Sequence, residues 1–252
     1  MPDVPASAWN HGAVAEPALI LWDIDATLLT VRPLGQEIHA VAFAETVGRP
    51  LRERAGTTGR TERAILLETL RLNDVPADEA TLAALYDAMG RVARSIEGRM
   101  REVGRPMPGA AAAVASFAAD GAVQSVVTGN IRSVTESKLR ALGLTDHLDL
   151  AVGGYGNDSL DRAELVRRAV TRAEAAYGQV FAPARVVVIG DTPYDVQGAR
   201  DAGVRSVAVA TGGTTVAELA AAGADAVLPD LTDVAALARA AFGTVGTDGL
   251  PV

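Results

Sequence analysis

The sequence predicts an α/β fold: a doubly wound parallel sheet interrupted, after its first strand, by a purely helical segment. Short apolar runs, each closed by Gly, Asp or Thr, recur along the chain as buried parallel strands do. Helical patterns separate these runs, which is the alternation of a sheet covered on both faces. Residues 33–105 break the rhythm, with helical periodicity and no strong strand run.

Taken in order, residues 1–16 have no clear period and read as a loose tail. "PALILWDID" is the first strand and delivers Asp23 and Asp25 at its exit. Helices are expected near 35–48, 60–73 and 78–103, the last started by Asp78 as N-cap after "NDVPA". Pro106 and Pro108 mark the return to the sheet. Further strands are expected near 122–130, 148–154, 185–191, 205–213 and 224–230. They alternate with helices near 109–119, 131–142, 161–177, 194–202, 215–222 and 232–242. The division that follows is a core of 17–32 and 106–243, a helical cap of 33–105, and tails at 1–16 and 244–252.

Composition excludes several functional classes. Hydrophobic residues make up 49% of 252 and charged residues 21%, enough apolar material for a packed core. The net charge of −8 disfavours nonspecific attachment to nucleic acid or an anionic membrane. With no cysteine, disulfides and thiolate chemistry are excluded. No run of about 18 uncharged apolar residues suggests a membrane span. The start of the chain lacks a basic stretch followed by an apolar one, so the expected location is the cytoplasm. His11, His39 and His147 are scattered, which argues against a histidine-based metal site. "GGYG" at 153–156 and "TGG" at 211–213 read as turns.

Four places carry candidate chemistry. In "DIDATL", Asp23 and Asp25 lie two apart, so they can face one pocket, and close carboxylates call for a cation or a proton between them. In "VVTGN", Thr128, Gly129 and Asn130 sit between a strand and a helix, where a hydroxyl and free N–H groups suit an anion such as phosphate. Lys138 is the single lysine among 23 basic residues, and a compact ammonium differs chemically from the arginine fork used everywhere else. In "GDTPYD", Asp191 ends a strand and Asp195 opens a helix whose first position holds Pro193, an arrangement able to offer oxygen ligands to a hard cation. Taken alone, the three acid and threonine sites also fit ordinary helix or turn capping, and a lone helical lysine also fits a solvated surface residue.

Together, and in this order, "DIDAT", Thr128, Lys138 and "GDTPYD" resemble the haloacid dehalogenase superfamily of aspartate-nucleophile hydrolases, over roughly 17–31 and 106–242. The stretch "TGNIRSVTESKLRALGL" is most similar to the phosphoglycolate-phosphatase-like branch, and 33–105 resembles that family's first-position cap. The resemblance implies a magnesium-dependent phosphatase for small phosphorylated metabolites, monomeric or homodimeric. Asp23 would be the nucleophile and Asp25 the acid and base. Thr128, Gly129, Asn130 and Lys138 would bind the phosphoryl group. Asp23, the backbone carbonyl of Asp25 and Asp191 would hold Mg2+, with Asp195 nearby or acting through water. From the cap, Arg60 or Arg63 would touch substrate. Ala26 departs from the family's usual Gly, and its methyl group restricts the backbone there.

Other readings share parts of this pattern. A 2-haloacid dehalogenase needs neither metal nor Asp25. A phosphonatase would need a cap lysine, and 33–105 contains none. A phosphosugar mutase shares all four places, and a catalytically silent binding module could keep the same fold.

Overall fold

A computed structural model describes residues 16–32 and 34–243. The expected tails lie almost wholly outside that range. The first strand, β1 (Leu19–Trp22), is buried along its whole length. Ile20 and Trp22 face one apolar cluster, while Leu19 and Leu21 face another, the alternation of a strand covered on both sides. A two-residue strand, β2 (Leu29–Thr30), pairs antiparallel with β3 (Arg105–Pro106) and forms a neck that the sequence pattern did not reveal. Two residues per strand are too few to show a period.

Between the neck strands run four helices: α1 (Leu34–Val47), α2 (Glu62–Leu72), α3 (Glu79–Ser95) and α4 (Glu97–Val103). The helix expected over 78–103 is therefore two, divided at Ile96. Asp78 caps α3, accepting from the Thr81 N–H at 2.8 Å.

The remainder alternates as expected: α5 (Ala110–Ala119), β4 (Val123–Thr128), α6 (Arg132–Ala141), β5 (Gly154–Tyr155), α7 (Arg162–Tyr177), β6 (Val186–Gly190), α8 (Pro193–Ala202), β7 (Arg205–Val209), α9 (Val216–Ala221), β8 (Ala226–Leu228) and α10 (Val234–Phe242). The strand expected at 148–154 is displaced. Only Gly154 and Tyr155, the middle of the "GGYG" read as a turn, pair with β4. The residues before them turn instead, because side chains take their carbonyls: Ser125 Oγ donates to Asp149 O at 2.6 Å and the Tyr155 hydroxyl to Leu150 O at 2.6 Å.

The six sheet strands are parallel, in the order β5-β4-β1-β6-β7-β8. The inserted helices share one apolar cluster with the sheet's Ile20/Trp22 face. Their seam runs along α6, against which α3 and α4 pack. One close approach along that seam is at Gly90, where an added Cβ would lie 2.7 Å from Ser133 Oγ.

Candidate active site

From β1 the chain steps outward through β4 to β5, then returns to the other side of β1 and builds β6, β7 and β8. The strand order reverses around β1, and the crevice at the carboxyl ends of such strands is where this architecture places ligands. Asp23 follows β1, Thr128 ends β4 and Asp191 follows β6, so all three meet in that crevice. The Asp23 N–H donates to Ile189 O at 2.8 Å, which ties the first acid to the strand that carries the third.

Asp23, Asp191 and Asp195 are buried, and each offers an oxygen within 4.8 Å of the others. Thr27, also buried, donates toward Asp191 Oδ1 at 3.2 Å and lies 3.5 Å from Asp23 Oδ2. Asp195 is fixed twice. It completes a capping box with Thr192 at the start of α8, its Oδ2 accepting from Thr192 N at 3.0 Å and Oγ1 at 2.6 Å. Its other oxygen accepts from Arg162, which also reaches Asp23 Oδ1 at 3.1 Å. Two glycines make the room. A Cβ on Gly190 would lie 2.3 Å from the Asp195 carboxyl carbon, and one on Gly212 would lie 1.8 Å from Asp191 Oδ2. The "TGG" turn thus abuts the acids.

Burial pushes the Asp23 carboxyl well above the usual range, and the Asp195 charge adds to this while Arg162 opposes it. Burial and Asp195 likewise push Asp191 up to about 7. One guanidinium does not balance three carboxylates. Hard oxygen donors with surplus negative charge fit a divalent cation of the magnesium kind, so Asp23, Asp191 and Asp195 form a donor set able to hold one.

Asp25 stands apart, half-exposed at the crevice. Lys138 Nζ contacts its two oxygens at 2.8 and 2.6 Å, and Asn130 Nδ2 donates to Oδ2 at 2.7 Å. Asn130 also accepts from Lys138 at 2.9 Å and donates to Thr128 Oγ1 at 2.9 Å. The stem of Lys138 is buried in the second turn of α6, and a helical side chain leans toward its own N-terminus, here toward Thr128–Asn130. Desolvation raises the Asp25 carboxyl, but the Lys138 charge and the bonds from Lys138 and Asn130 outweigh it and hold Asp25 below the usual carboxylate range. The ammonium is therefore bonded to Asp25, whereas the cation on Asp23 is Arg162.

Sequence reasoning missed Arg162. It is one of 22 arginines, so its residue type carried no signal. Its position did: it is the first residue of α7, where the helix dipole disfavours a cation, so a carboxylate partner was to be expected. Ala26 holds φ at 66°, the left-handed region, with its N–H on Leu29 O at 2.7 Å and its carbonyl accepting from Thr211 Oγ1 at 2.6 Å. The usual Gly of this motif would adopt that backbone without strain.

Above the acids lies a cavity of about 520 Å³, walled on the far side by α1, by the irregular stretch 51–61 and by the start of α2. Arg60 lines it, but its guanidinium turns to Glu68 at 2.7 Å and to Ala64 O at 3.1 Å. Arg63 does not line it and pairs with Glu79, one nitrogen at 3.1 Å. His39, one of the scattered histidines, is buried in this wall against Glu62 at 2.6 Å. The wall is docked on the core by backbone: the first N–H groups of α2, on Glu62 and Arg63, donate to Gly129 O at 2.8 Å and Gly156 O at 2.9 Å.

Fold and site thus define an α/β protein of the doubly wound kind, with an acidic centre facing the inserted helices. The family model for haloacid dehalogenase-like hydrolases matches residues 20–200, and the chain belongs to that family. A phosphoglycolate phosphatase from Caulobacter vibrioides is 29% identical over 222 residues, spanning 86% of this chain and 89% of the relative. One from Xylella fastidiosa is 28% identical, spanning 77% and 80%. The solved structure of CbbY from Rhodobacter sphaeroides in complex with phosphate superposes with a TM-score of 0.61 at 20% identity, covering 86% of this chain and 96% of that one, and shares the fold. The chain is accordingly an enzyme, a phosphatase that hydrolyses phosphoester bonds. Among the described residues, no helix is long and apolar enough to cross a membrane.

Proposed function

We propose that this chain is a magnesium-dependent phosphatase of small metabolites, phosphoglycolate-like ones among them, working through an aspartyl-phosphate on Asp23. The observation that carries this reading is the buried Asp23 carboxylate at the end of β1, within ligand-sharing distance of Asp191 and Asp195. Asp23 attacks phosphorus, the bond to the leaving oxygen breaks, and Asp25 supplies the proton that oxygen needs. Asp25 then takes a proton from the water that hydrolyses the acyl phosphate, releasing phosphate and restoring Asp23.

Lys138 sets the timing. In this structure its ammonium holds Asp25 ionised, which suits the base and not the acid. A phosphoryl group docking at Thr128, Gly129 and Asn130 brings a competing anion to the ammonium, loosens its hold, and raises the affinity of Asp25 for a proton. Arg162 keeps the Asp23 oxygen aimed by bridging it to Asp195. Magnesium would be held by Asp23, Asp191 and the Asp25 carbonyl, with Asp195 through water; when bound, it supplies the positive charge that lets a carboxylate approach an anionic phosphorus. In this reading the core is 17–32 with 106–243, and 33–105 is a cap that excludes bulk water.

The test is phosphate release from a panel of phosphorylated metabolites, phosphoglycolate included, with and without chelator. Release that disappears in chelator and returns with magnesium supports the reading. Metal-independent release, or halide release from a 2-haloacid, would overturn it.

A further inference from the structure

We infer that Arg32 and Arg54 form a second anion subsite, so that the preferred substrate carries a further acidic group, a carboxylate or a second phosphate, on the part that leaves. The inference deepens the proposed function and rests on it.

Both residues line the cavity above Asp23 and Asp25. Of the four arginines that line it, Arg60 pairs with Glu68 and Arg162 with Asp23 and Asp195, which sets the other two apart. Arg52, Arg60, Arg63, Arg71, Arg91 and Arg99 in the same segment each pair with a carboxylate. Arg32 and Arg54, among the described residues, pair with none. The one carboxylate nearby in the wall, Glu62, is occupied by His39. That histidine has both ring nitrogens against acceptors, Glu62 at 2.6 Å and Gly35 O at 2.8 Å, so the pair is closed on itself and leaves the arginines uncompensated. Arg60, the cavity arginine that sequence position favoured, is withdrawn to Glu68.

The two reach the cavity from different parts of its wall. Arg32 follows the neck strand β2 and acts on the charge of Asp25, at the reacting end. Arg54 stands in the irregular stretch 51–61, and its charge opposes protonation of His39. A ligand whose phosphoryl group lies at Thr128–Asn130 would extend its leaving part past Arg32 toward Arg54. Planar forks suit a carboxylate or phosphate through paired hydrogen bonds. A neutral leaving group would leave both charges facing it without partners.

The experiment compares kcat/KM for phosphoglycolate with that for ethyl phosphate, of similar size and without the carboxylate, and adds a sugar bisphosphate to separate the two kinds of second anion. The wild type is expected to favour an acidic substrate by about tenfold or more, the scale of one charged hydrogen-bonded contact. In Arg54→Ala and Arg32→Ala that ratio is expected to fall by about tenfold, mainly through KM, with partial recovery in Arg54→Lys. Arg52→Ala removes a neighbouring charge that is outside the cavity and paired with Asp74, and should leave the ratio unchanged. Equal preference in the wild type, or proportional loss on all substrates in the arginine variants, overturns the subsite. If the wild type releases phosphate from none of the three, the proposed function fails instead. Calorimetric binding then decides the subsite by itself: tighter binding of phosphoglycolate than of ethyl phosphate, lost in Arg54→Ala, retains it, and equal binding ends it.

Discussion

The two walls of the cavity are built differently. On the core side, Asp23 and Asp191 stand at the ends of strands in a parallel sheet and Asp195 in the first turn of α8, and hydrogen bonds fix them: Asp23 through Ile189 O, Asp195 through its capping box. On the side of the inserted segment, Arg32 and Arg54 come from a neck and from a stretch without regular structure. The first wall gives precise charge geometry where bonds would break. The second can change its residues without disturbing the sheet, which is where selectivity between substrates is best kept.

The sharpest way to break this comparison is to disable the core wall alone. Asp23→Asn keeps the shape of the side chain and removes the proposed nucleophile, so turnover should fall by roughly 10⁴-fold or more while the folded structure persists. Near-normal activity by phosphate release, with circular dichroism unchanged, would reject Asp23 as nucleophile. Lys138→Met is the next largest. It frees Asp25 from the charge that holds it low, so kcat should drop by about 10²-fold and the basic arm's midpoint in the pH–rate profile should move upward. A profile that only scales down, with no displacement, would mean that Lys138 does not control Asp25.

A subtler effect concerns the protein without metal. Asp191 is raised from 3.8 to about 7 and Asp23 is raised as well, so between those pH values the folded chain holds protons that the unfolded chain releases. Stability is then greatest below pH 3.8 as far as these groups are concerned, and is lost as pH rises through 7. His39, also raised, because Glu62 outweighs its desolvation, loses its contribution in the same direction. Magnesium would separate the two, since the proposed site uses the acids and not His39. Urea midpoints in chelator should fall between pH 5 and 8, and magnesium should protect more at 8 than at 5. A chelated midpoint that climbs over that interval would contradict the crowding of these acids. The smallest effect is expected from Ala26→Gly. Relief of the left-handed backbone and the greater freedom of the unfolded glycine oppose each other, each worth about 1 kcal/mol. Thermal melting should therefore change little, and turnover should stay within about threefold, the kinetic equivalent of less than 1 kcal/mol. A large gain in turnover would show that the alanine impairs the enzyme.

Why one wall was legible in the sequence and the other was not follows from the same contrast. A strand-terminal acid announces itself by the apolar run before it, so Asp23 and Asp191 could be placed in one crevice before any coordinates. Lys138 stood out because no other lysine competes for notice. Arg162 did not, being hidden among many arginines and joined to Asp23 across 139 positions of sequence. The arginines of the inserted segment have no period to read, and which of those near the cavity keep a free guanidinium depends on which find a local glutamate. Arg60 and Arg63 do, through Glu68 and Glu79. The neck strands and the short β5 were illegible because two residues show no alternation.

The solitary lysine has a practical consequence. Because Lys138 is the only one in the chain, isotope-labelled lysine would place a single side-chain nitrogen resonance in the spectrum, lying directly on Asp25. Its chemical shift would follow proton transfer at that carboxylate as ligands arrive, a built-in spectroscopic reporter that requires no mutation.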